Sequence, residues 1–134
     1  MADYKEKLDE WQQAARRKAR ELDEKYSISD IVADEFATGW FGTIVLEGMA
    51  CSKPVFCYVD EEVMKQLYPW HPIISAKDPE KIAELIASFY FDKEKREAHG
   101  KLSRKWVTEF HSLKSGSDIY INNFRNDLKD IFNL

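Results

Sequence analysis

Two glycines separated by two aromatic residues, Gly39-Trp40-Phe41-Gly42, stand directly before an apolar run that carries one carboxylate, Glu47. Glycine lets a backbone come close to a ligand. If a helix opens here, the amides of Trp40 to Thr43 lie at its positive end and can hold a phosphate. Glu47 can accept hydrogen bonds from a ribose diol. Plainer roles compete at each position. The glycines also suit a tight turn that packs helix against sheet, and Glu47 also suits capping or an ion pair with a lysine. Spacing alone does not separate these alternatives.

The other reactive side chains do not assemble into a recognisable centre. His71, His99 and His111 lie far apart in the chain, and none stands beside a serine or cysteine in a nucleophile pattern. His99 falls in a charged run and is expected at the surface. His71, between Trp70 and Pro72, is a loop side chain. Cys51 and Cys57 fit no common zinc spacing. Both read as reduced, buried and inert thiols. No catalytic residue, metal or cofactor is expected from these groups.

The elements that must position the loop follow from periodicity. Residues 2 to about 26 read as one long helix, with Tyr4, Leu8, Trp11, Ala15, Ala19, Leu22 and Tyr26 on one face. That helix either lies on its own domain or pairs with a partner in coiled-coil fashion. Ile31 to Phe36 reads as a strand, Ala37 to Gly42 as a loop, and Trp40 to about Cys51 as a buried helix stopped by Pro54. Val55 to Val59 reads as a buried strand. Asp60 can cap a short helix through Leu67. Tyr68 to Pro72 is a rigid loop, and Ile73 to Ala76 a third strand. Asp78-Pro79-Glu80 opens a helix that buries Ile82, Leu85, Ile86 and Phe89. A charged helix follows from Asp92, with Leu102, Trp106 and Phe110 on one side. Ser112 to Asp118 reads as a flexible joint before a last helix carrying Ile121, Phe124, Leu128 and Ile131.

Alternation of this kind indicates an α/β class with a small three-stranded parallel sheet and flanking helices, preceded by the long helix. The 134 residues fit a single domain: helix 1–28, a Rossmann-like part 29–112, and a C-terminal helix 113–134. Apolar residues make up 44%, enough for a packed core and against wholesale disorder. A net charge of −4 gives no electrostatic reason to bind nucleic acid or an anionic membrane. No secretory leader and no run near the ~18 apolar residues of a membrane span is apparent, which points to the cytosol.

The unit from Ser29 to Val59 resembles the donor-binding C-terminal domain of GT-B glycosyltransferases of the retaining, group-one type. The resemblance rests on Gly39-Trp40-Phe41-Gly42, Leu46-Glu47-Gly48-Met49-Ala50 and Lys53-Pro54-Val55. The usual form is Glu-Gly-Phe-Gly, then Glu-Ala-Met-Ala, then Gly-Lys-Pro-Val. Ser29 to Val32, Asp78 to Leu85 and Phe110-His111-Ser112 are similar to neighbouring parts, so the likeness extends from about Tyr26 to Ile131. It implies a nucleotide-sugar ligand held by Gly39, Trp40, Phe41, Gly42 and Thr43, with Glu47, the second glutamate of a Glu-x7-Glu pair, on the ribose. Gly39 stands where the first glutamate would be, and Ser52 stands where glycine precedes the lysine.

A whole enzyme of this kind carries two Rossmann-like domains, and these residues correspond to strands four to six of the second. The resemblance therefore implies a truncated module, not competent to transfer a sugar alone. An unpaired strand edge is a liability. It predicts a homodimer or a partner chain, with the long helix covering part of the gap. The alternatives are a non-catalytic dimerisation or interaction module that keeps the motif for folding, and a piece of a larger enzyme.

Overall fold

The computed structural model describes residues 2–132, with side chains described from 4 to 125. The order is α1 (Ala2–Ile28), β1 (Val32–Ala33), α2 (Thr43–Ala50), β2 (Val55–Phe56), α3 (Glu61–Leu67), α4 (Pro79–Tyr90), α5 (Lys93–His111) and α6 (Leu113–Phe132).

The helices start where their caps direct. Asp60 accepts hydrogen bonds from the amides of Glu62 and Val63, and Asp78 from that of Lys81, with Pro79 in the first turn. Asp92 does the same for α5 by accepting from Lys95. The end of α2 is a Schellman motif. The Ser52 amide bonds to Met49 O and the Lys53 amide to Gly48 O, each at 3.0 Å. Ser52 takes the left-handed conformation this motif needs, at φ +59°.

The sheet is smaller than the alternation predicts. β1 and β2 pair in parallel, Val32 with Val55 and Ala33 with Phe56. The expected third strand, Ile73 to Ala76, contributes only one parallel bridge between Phe56 and Ile74. Two local causes account for this. Pro72 has no amide to offer a ladder. One rung later the Ser75 hydroxyl takes both backbone groups of Val59, accepting from its amide at 3.0 Å and donating to its carbonyl at 3.2 Å. β1 is the sheet edge, and Ala33 on it is exposed.

Helices supply most of the core, and α5 is its pillar. Trp106 and Ser103 are fully buried on it. Trp106 Nε1 donates to Trp70 O at 2.7 Å, and Arg104 donates to Ala50 O at 2.6 Å, at the negative end of α2. Leu102, expected on this face, is exposed instead. His99, expected at the surface, is partly buried. Its Nε2–H donates to Pro72 O at 2.6 Å and its ring meets Phe89 edge-on. In α4, Phe89 is buried, whereas Ile82, Leu85 and Ile86 are half-buried.

Two further expectations change. Ser112 to Asp118 is not a joint, because α6 starts at Leu113. Ser112 caps it, its hydroxyl accepting from the Ser115 amide at 3.1 Å. Ile121 and Phe124 are exposed, and the side chains of Leu128 and Ile131 lie outside the described residues. The long helix lies on its own domain only at its C-terminal end. Leu22 and Tyr26 are half-buried, and every other described side chain of α1 is exposed.

Candidate functional site

The Gly39–Gly42 segment emerges from the carboxyl end of β1, where open α/β sheets take their ligands. Three contacts fix its path. Gly39 adopts φ +82°, and a Cβ there would stand 3.3 Å from the Tyr58 ring, so the fold itself requires this glycine. Its carbonyl accepts from the Asp60 amide at 2.8 Å. The carbonyl of Trp40 accepts from the buried Cys57 thiol at 3.6 Å.

Phe41 anchors the loop from the other side. It is buried among Trp106, Tyr68 and His111, with ring centroids 5.7, 6.3 and 5.8 Å away. Trp40 stacks on Phe41 at 4.7 Å and remains 39% exposed, which offers one aromatic face to solvent. Helix α2 begins at Thr43, after Trp40, Phe41 and Gly42 have already turned. Gly42 is its N-cap at φ −107°. No side chain caps this end, and its first turn holds no acidic residue. A Cβ on Gly42 would lie 3.4 Å from Asp34 Oδ2, an ordinary contact. Unlike Gly39, Gly42 is therefore not required by its own backbone or surroundings.

Glu47 does not face the loop alone. The Tyr26 hydroxyl donates to Glu47 Oε2 at 2.8 Å, joining α1 to α2. Burial pushes the Tyr26 hydroxyl up to about 12, assisted by the hydrogen bond to Glu47 and that carboxylate's charge. Among the described residues, neither a lysine pair nor a capping role is seen at Glu47. Sequence spacing carries no signal for this contact, because the two residues are far apart in the chain.

Two acidic groups beside the loop also escaped the sequence. Asp34 approaches Gly42, as noted. Glu35 accepts from the Thr38 hydroxyl and from its amide at 3.1 Å, which holds its carboxyl below the usual range. The end of β1 thus combines amide donors, suited to an anion, with carboxylate acceptors, suited to hydroxyl groups.

The thiols are quiet. Burial pushes Cys57 up to about 11. Cys51 is only half-buried, and its thiol donates to Asp23 at 3.8 Å. Burial and the Asp23 charge raise it too. His111 lies in the aromatic cluster, where desolvation lowers it.

A small parallel sheet with flanking helices, a loop at one strand end and a helix opening behind it define an α/β domain. The family model for glycosyl transferases group 1 matches residues 3–106, and the chain belongs to that family. The match begins within α1, well before the expected start at Tyr26, and stops inside α5 rather than near Ile131. Helix α1 is thus part of the family's domain. No curated protein and no solved structure matches the chain. Among the described residues, no helix is long and apolar enough to cross a membrane.

Proposed function

We infer that these residues form a donor-binding module of a GT-B glycosyltransferase, taking the diphosphate of a nucleotide sugar at the Gly39–Thr43 loop. The observation that carries this reading is Gly42. It caps a helix whose first amides have no side-chain partner among the described residues, and its own backbone and surroundings do not demand a glycine there. A phosphate approaching that helix end would demand one. Family membership and the exposed face of Trp40 point the same way.

The part assigned to the loop is to hold the donor, since position 39 carries no carboxylate beside the transferred sugar. Glu47 serves the ribose, which requires that Tyr26 yield its hydrogen bond.

UDP- and GDP-sugars titrated against Trp40 fluorescence and thermal shift test this reading. A saturable response is expected from the wild type. It should weaken in Glu47→Gln and vanish in Gly42→Ala, while Gly42→Ala costs about 1 kcal/mol of stability or less. Silence of the wild type at millimolar ligand would refute the reading.

A further inference from the structure

The groove between α1 and α2 continues the line that starts at the loop. Thr43, Glu47, Ala50 and Cys51 fall within about 100° of one another around α2, and the rise from Thr43 to Cys51 is about 12 Å. Ala50 and Cys51 form one wall of a groove of about 250 Å³ that also reaches Glu47. Leu22, Asp23 and Tyr26 of α1 form the other wall. Two carboxylates stand among these apolar and aromatic side chains. Glu47 accepts from the Tyr26 hydroxyl. Asp23 has one side-chain partner among the described residues, the Cys51 thiol at 3.8 Å, and a thiol is a weak donor.

We propose that this groove takes the base of the donor nucleotide and selects guanine. The inference rests on the donor reading of the loop and adds the nucleobase to it. A phosphate at Thr43, a ribose at Glu47 and a base beside Ala50 and Cys51 follow the order of these groups along a nucleotide. The Tyr26 ring supplies the aromatic surface on which a base stacks.

Asp23 sets the choice of base. An ionised carboxylate accepts hydrogen bonds and donates none. Guanine carries two neighbouring N–H donors on one edge, at N1 and N2, which match the two oxygens of a carboxylate as a guanidinium fork does. Uracil flanks its ring N–H with two carbonyls. Adenine and cytosine set an acceptor nitrogen beside their amino group. Each of these would bring a lone pair against Asp23, which is repulsive. The Cys51 thiol releases Asp23 at small cost, because its hydrogen bond is weak. Tyr26 stacks through its ring and not its hydroxyl, so stacking is compatible with the release of Glu47 to the ribose.

Isothermal titration calorimetry of the full chain with GDP, UDP and ADP tests the groove. GDP should bind roughly tenfold tighter than either of the others, or more. Asp23→Asn turns one acceptor into a donor and should remove that preference by weakening GDP. Ala19→Leu fills the groove from a position on α1 and should weaken GDP at least as much. Both positions are exposed, so the melting temperature should stay near that of the wild type. Inorganic pyrophosphate has no base, and its affinity in each variant reports on the loop alone. It should match that of the wild type. Affinities that do not favour GDP, or a GDP preference that survives Asp23→Asn, would overturn the groove assignment and leave the loop reading in place. Loss of pyrophosphate binding in both variants would overturn it too, by showing that they act through the loop. Silence of the wild type towards every diphosphate would refute the loop reading and this inference with it.

Discussion

Gly100 is where α5 touches the turn that ends α2, and replacing it by alanine should be costly. A Cβ built there would lie 2.0 Å from Ser52 O and 2.8 Å from Ser52 C. A relaxed carbon–oxygen contact needs about 3.3 Å, so the two segments would have to separate by more than ~1 Å. Ser52 cannot retreat, because its own amide and that of Lys53 are bonded back into α2. The helix must move instead. It would pull on the Arg104 bond to Ala50 O and the His99 bond to Pro72 O, both 2.6 Å long. Overpacking of this kind costs about 1–3 kcal/mol, and each strained hydrogen bond adds about 1 kcal/mol. The better helix propensity of alanine returns up to about 1 kcal/mol. The net expectation is a loss of about 2–4 kcal/mol. Urea unfolding followed by circular dichroism measures it. Gly116→Ala in α6 is the control, since a Cβ there meets nothing within 4 Å, and it should stabilise by about 0.5–1 kcal/mol. A Gly100→Ala variant as stable as wild type would show that the contact between α5 and the turn is not as tight as described.

Two other substitutions should act in telling directions. Ser52→Gly relieves a left-handed serine at φ +59° and should stabilise the protein by up to about 1 kcal/mol in the same urea assay. Tyr26→Phe should lower stability by about 1 kcal/mol and yet tighten nucleotide-sugar binding, because it frees Glu47. The same residue confers a pH dependence. Its folded pKa is raised to about 12, so its contribution is intact below about 10 and is lost as pH rises towards 12. Tyr26 is partly solvated, so that contribution is modest. The wild-type minus Tyr26→Phe difference in stability should shrink across that window. A difference that grows instead would contradict the assignment.

What could be read from the chain was local. Asp60 and Asp78 cap the helices they precede, because a side chain and an amide two or three residues on need no knowledge of the fold. The helix after Gly42 was legible for the same reason, to within its first turn. Contacts between distant residues were not legible. Ser75 ends the third strand by engaging Val59, and His99 is drawn inward by the carbonyl of Pro72. Glu47 finds a tyrosine rather than a lysine. The missing glycine at Ser52 was visible as a departure from the family pattern. Its physical meaning, a left-handed C-terminal turn occupied by a residue with a Cβ, required the backbone angles. The loop was recognisable as a unit, but the distinction between Gly39, which the fold requires, and Gly42, which it does not, came from the surroundings of each.

Helix α1 is attached to the body near one end, where Tyr26 bonds to Glu47, Cys51 to Asp23 and Lys53 to the carbonyl of Ser27. That makes it a lever. From Tyr26 to the start of the helix is roughly 36 Å, so a tilt of about 10° at the attachment moves the far end by roughly 6 Å. An ångström-scale adjustment at Glu47, one turn from the loop, is thereby magnified several-fold at Tyr4 and Leu8.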